Sequence, residues 1–76
     1  MGEIEDMAMN VANAYEDHYF NTAKRAVFDA LLNRYLSVAG SIADDDLYEN
    51  VVTLGQRHPD EFRRFIDELR QSNLLP

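Results

Sequence analysis

Two histidines, three serines and one run of three aspartates are the side chains of this sequence with chemistry to offer. His18 and His58 are its only side chains whose ordinary pKa lies near neutrality. His18 closes an apolar stripe beside Glu16 and Asp17, which reads as a helix-terminal histidine whose cation the helix dipole favours. His58 precedes Pro59 and belongs in a turn. Ser37, Ser41 and Ser72 lack the glycine-flanked turn that exposes a nucleophile. Asp44-Asp45-Asp46 is acidic enough for calcium, but a calcium loop counted from Asp44 needs glycine sixth and a carboxylate twelfth. Those places hold Glu49 and Gly55. There is no cysteine for thiolate ligation or a disulfide, and no His-x-x-x-His or Glu-x-x-His pair. The expectation is no catalytic residue, no metal and no cofactor: not an enzyme.

His58-Pro59-Asp60 resembles the signature of J-domains, the co-chaperones that stimulate Hsp70. The resemblance covers these three residues. It implies a loop between two long antiparallel helices with a basic helix before it. Here the segment from Asp44 to Gln56 carries four acids and no base. A proline opening a helix, followed by an acid, accounts for the tripeptide without a function.

The elements that must position these residues are helical. Glycine and proline occur only at Gly2, Gly40, Gly55, Pro59 and Pro76, leaving long uninterrupted segments. Ile4, Met7, Val11, Ala14 and His18 step by three and four, which predicts a helix over 3–18. Its opposite face holds Glu3, Asp6, Asn10, Asn13 and Asp17. Asn21 or Thr22 caps a second helix that runs to about Ala39 and stops at Gly40. No glycine or proline separates these two helices, so sequence leaves open whether they are continuous. The second is apolar on two seams, Phe28-Leu31-Tyr35-Val38 and Leu32-Leu36-Ala39, which places it centrally or against a partner. Ser41-Ile42-Ala43-Asp44 has capping-box spacing, with Asp44 as an alternative cap. A third helix over 44–56 turns Leu47, Val51 and Leu54 inward, with Ile42 as a staple, and Gly55 marks its end. Pro59 opens a fourth, with Phe62, Phe65, Ile66 and Leu69 inward and Asp60–Arg64, Arg63–Asp67 and Arg64–Glu68 paired outside. It ends at Ser72-Asn73, and Leu74-Leu75-Pro76 forms an apolar tail. No period-two alternation predicts a sheet. The reading is all-α: one domain over 1–76, a compact bundle of three to four short helices, with a helical homodimer as one way to cover its surplus apolar surface.

The 76 residues carry seven Lys+Arg and fourteen Asp+Glu, a formal charge of −7. Residues 1–21 hold −5, 22–40 hold +2, 41–56 hold −4 and 57–76 are neutral. So acidic a chain is poorly suited to phosphate binding or to an anionic membrane. Apolar runs reach only three residues, as at Ala26-Val27-Phe28, so no segment can span a bilayer. The opening MGEIEDMAMN lacks a basic n-region, which predicts no secretory signal and a cytoplasmic protein.

What remains is recognition. Glu3, Asp6, Asp17, Asp44, Asp45, Asp46 and Glu49 are expected to form an acidic surface that contacts lysines and arginines of a protein partner. Tyr15, Tyr19, Phe20, Tyr35 and Tyr48 offer more aromatic surface than a small core absorbs. Tyr15, Tyr19, Phe20 and Tyr48 are the expected anchors. The function read from this is a non-enzymatic interaction module, a small acidic inhibitor or adaptor that occludes a partner's basic or nucleic-acid-binding surface. In size and charge the chain resembles phage-encoded anti-CRISPR and other anti-defence proteins, a likeness that no motif carries. The alternatives are a helix-turn-helix-like regulator, with Lys24, Arg25 and Arg34 as its basic cluster, and a J-domain-like co-chaperone fragment through His58-Pro59-Asp60. No direct contact with nucleic acid is expected under the first reading.

Overall fold

The computed structural model describes residues 2–39 and 46–76. Four helices follow one another: α1 Glu3–Asp17, α2 Thr22–Ala39, α3 Leu47–Arg57 and α4 Pro59–Gln71. The described residues contain no strand, and the architecture is an all-α bundle.

Local signals account for most of the boundaries. Glu3, Glu5 and Asp6 sit in the first turn of α1, where the helix dipole favours them. The chain breaks at 18–21 despite having no glycine there. The Tyr19 N–H donates to the Glu16 carbonyl and the Asn21 N–H to the His18 carbonyl, closing a tight turn. Asn21 Oδ1 then accepts the Lys24 N–H at 3.1 Å and starts α2. Asp46 Oδ1 accepts the Glu49 N–H at 3.1 Å, so Asp46 is the cap of α3. The capping box at Ser41–Asp44 and the Ile42 staple lie outside the described residues. Pro59 takes the first turn of α4, as its missing N–H allows.

The core gathers Ala8, Val11 and Ala14 from α1, Phe28, Leu31 and Tyr35 from α2, Val51 and Leu54 from α3, and Phe65, Ile66 and Leu69 from α4. Leu74 and Leu75 complete it, which corrects the reading of an apolar tail. Asn73 adopts φ 60°, a left-handed conformation asparagine tolerates, and reverses the chain. The Leu74 N–H returns to the Leu69 carbonyl at 2.8 Å, and both leucines fold under α4. Each adds roughly 1.5–3 kcal/mol of burial.

The central element is α3, not α2. It packs against α1, α2 and α4, while α2 also meets α4. Gly55 does not end α3; it lies buried within it. A Cβ built there would sit 2.6 Å from Ile4 Cγ2 and 3.3 Å from Phe62 Cδ1. The missing side chain therefore lets α1 and α4 close onto α3. On α2 the first seam is buried through Phe28, Leu31 and Tyr35, but Val38 faces solvent. Leu32 and Leu36 of the second seam are half-buried against the core.

None of the three expected pairs along α4 closes. Glu68 instead accepts a short hydrogen bond from the Tyr35 hydroxyl and an ion pair from Arg34 Nη1 at 3.5 Å. This ties α4 to α2. The bond to Glu68 comes first, and burial second, in raising the Tyr35 pKa above the tyrosine range. Stability from this tie is therefore complete below about pH 10 and is lost as pH climbs through the raised value.

Two outcomes are expected. Gly55→Ala should lower stability by about 1–2 kcal/mol in urea unfolding, overpacking outweighing the gain in helix propensity. Ile4→Ala in the same chain should recover part of it; an unchanged midpoint for Gly55→Ala would show that Ile4 yields freely. Tyr35→Phe should cost roughly 1–2 kcal/mol at neutral pH and flatten the fall in stability above about pH 10. An identical alkaline profile in both proteins would count against the tie.

Candidate protein-interaction surfaces

α1 carries its acids along the side that its apolar stripe leaves to solvent. Glu3, Asp6 and Asp17 are all exposed there, with Asn10 and Asn13 between them. The last stands fourteen positions after the first, a run of about 21 Å along the helix. Asp46 and Glu49 are exposed at the start of α3, bonded to each other through the cap. Asp44 and Asp45 lie outside the described residues. The two helices that carry these acids, α1 and α3, pack against one another.

Neutralisation inside the molecule goes elsewhere. The ion pairs among the described residues join Arg25 to Asp29 at 3.7 Å and Arg34 to Glu68 at 3.5 Å. Of the expected acids, Glu3, Asp6, Asp17, Asp46 and Glu49 are described, and none of these five takes part. A groove of about 570 Å³ runs between α1 and α4 with Gly55 at its base. Glu3 and Asp6 line one wall, Arg63 and Arg70 the other, and Ile4, Phe62 and Ile66 make its lining apolar. Sequence gives no sign that Arg63 and Arg70 line a groove with α1: i,i+4 spacing assigns Arg63 to Asp67, and nothing marks Arg70.

The four expected aromatic anchors separate into distinct roles. Tyr15 is a strut: its hydroxyl donates to Asp29 Oδ1 at 2.8 Å and its ring meets Phe28 edge-on at 5.1 Å. Burial first, and the bond to Asp29 second, raise its pKa. Tyr19 stands edge-on to Tyr15 at 5.8 Å, with the Arg25 guanidinium 4.0 Å from its ring centroid. Phe20 stands edge-on to Tyr19 at 5.2 Å yet is 92% exposed. Tyr48 is half-buried against the core. A chain of ring contacts thus runs outward from Phe28 and ends in one bare phenyl group.

The basic cluster of the alternative reading is largely spent. Arg25 is held by Asp29 and Tyr19, and Arg34 by Glu68, leaving Lys24. His58 joins α3 to α4 alone, its N–H donating to the Leu54 carbonyl and its carbonyl accepting from the Phe62 N–H. The His58-Pro59-Asp60 signature therefore spans a one-residue junction and the first turn of α4, not a loop. His18 caps the end of α1, its N–H donating to the Ala14 carbonyl. Among the described residues no cluster of acidic, histidine or cysteine side chains is arranged to hold a metal. None of their helices is long and apolar enough to cross a membrane. No family model, curated protein or solved structure matches the chain.

Proposed function

We propose that the chain is a non-enzymatic protein-binding module, a small acidic inhibitor or adaptor that covers a basic or nucleic-acid-binding surface of another protein. One observation carries the reading. Glu3, Asp6 and Asp17 face solvent on one side of α1, and none of them closes an ion pair with another described residue. A partner's lysines and arginines supply the missing counter-charge, steering encounter and forming charge-assisted hydrogen bonds. Phe20 provides an apolar anchor near the end of α1 at which Asp17 lies. Occlusion of a nucleic-acid-handling machine, the mode of phage anti-defence proteins, is one use of such a surface. The proposed setting is the cytoplasm.

The test compares capture from host lysate by the native chain and by a Glu3→Lys/Asp6→Lys/Asp17→Lys variant. The native chain should retain a partner with a basic surface and release it as salt is raised, because exposed charge contacts are screened within about a Debye length. The variant should lose roughly tenfold or more in affinity for that purified partner with its circular dichroism unchanged. Retention of the same partner by the variant, or binding indifferent to salt, would overturn the reading.

A further inference from the structure

The groove between α1 and α4 continues beyond its base at Gly55. A second hollow of about 260 Å³ shares Met7, Asn10 and Arg70 with it and reaches Asp17 and Leu75. One furrow therefore follows α1 from Glu3 to Asp17, a run of about 21 Å or nearly four helical turns. The exposed stripe Glu3, Asp6, Asn10, Asn13 and Asp17 forms one wall along its entire length. The opposite wall presents Arg63, Asp67 and Arg70 of α4, all exposed. Between them the floor is apolar: Ile4, Met7, Phe62, Ile66 and Leu75. Among the described residues no ion pair crosses the furrow, and none joins Arg63 or Arg70 to Asp67. Opposite charges line its two sides and are held apart.

We propose that this furrow seats an amphipathic helix of a protein partner, its apolar stripe on the floor, lysines or arginines along the flank that meets α1, and aspartates or glutamates along the flank that meets α4. This occupant rests on the reading of α1 as an acidic recognition surface and names the part of the partner that it holds. Charge complementarity selects its flanks. Glu3, Asp6 and Asp17 put three acids on one wall with no ion pair to another described residue, which calls for bases. Arg63 and Arg70 outnumber Asp67 on the other, which calls for acids. A uniformly basic segment would set like charge against the arginines, and a wholly apolar one would leave both walls unmatched. Backbone chemistry selects a helix. Both walls are helices whose backbone groups pair within them, so an extended peptide finds no strand edge to join. A helix brings its own backbone bonds with it. Its side chains at i, i+3, i+4 and i+7 form a stripe at the same spacing as Ile4-Met7 and Phe62-Ile66 on the floor. Length agrees as well. The furrow admits about 14 residues of helix, close to the fifteen of α1 and the thirteen of α4.

The test uses a phage-displayed library of helix-forming peptides about 14 residues long. Selection on the native chain should enrich peptides with apolar residues at i, i+3, i+4 and i+7, Lys or Arg on one flank and Asp or Glu on the other. Titrated into the isotope-labelled chain, the strongest of them should shift the amide resonances of Met7, Asn10, Arg63 and Arg70 and leave those of α2 in place. Arg63→Glu/Arg70→Glu, at exposed positions, should weaken that peptide roughly tenfold or more with circular dichroism unchanged. Lysines in place of the peptide's acids should restore its affinity for this variant. Glu3→Lys/Asp6→Lys/Asp17→Lys should weaken the original peptide as well. No enrichment, basic peptides without an apolar stripe, or affinity indifferent to Arg63→Glu/Arg70→Glu would each overturn the helix-binding furrow while leaving the acidic face of α1 to its own salt test. A selected peptide that ignores the triple reversal on α1 would overturn both.

Discussion

The close approach of α1 and α4 onto α3 is the constraint from which the rest of this structure follows. α3 has eleven residues, the fewest of the four helices, yet it meets all the others. Gly55 makes that possible, because Ile4 and Phe62 occupy the space a side chain would take. Glycine inside a helix costs about 0.5–1 kcal/mol against alanine, and close packing on two sides offsets it. With α1 and α4 both seated on α3, a groove opens between them. The acids of α1 then face the arginines of α4 across that groove instead of being matched along their own helix.

Two hydroxyls settle how α2 sits on this assembly. Tyr15 bonds to Asp29 and Tyr35 to Glu68, one tie to α1 and one to α4. The same two carboxylates also take Arg25 and Arg34. Each is thus used twice, in a hydrogen bond between helices and in an ion pair. The pairs themselves are exposed enough to be worth only a few tenths of a kcal/mol. Their larger effect is on surface character: they remove charge from α2 and leave it unbalanced on α1. The molecule therefore presents an anionic side and a nearly neutral side.

The helices are legible because three- and four-residue spacing is a direct image of a buried stripe, and Pro59 marks a helix start, whereas the break before α2 shows only in the turn that Asn21 closes and caps. Gly55 is not legible, because a glycine that ends a helix and one that lets two helices touch look alike in one dimension. Leu74 and Leu75 read as a tail because only the left-handed turn at Asn73 sends them back under α4. The pairs expected along α4 had correct spacing, but Tyr35 and Arg34 compete for Glu68 from another helix. Composition identified the acids of α1 as exposed. It gave no means of ranking Phe20 above Tyr15, since a bare ring and a strut differ only in their neighbours.

Recognition through Glu3, Asp6 and Asp17 weakens as ions screen the attraction to a basic partner. At physiological ionic strength the Debye length of about 8 Å is smaller than an α-helix with its side chains, about 10–12 Å across. Charge on α1 is then largely screened from the neutral face of α2.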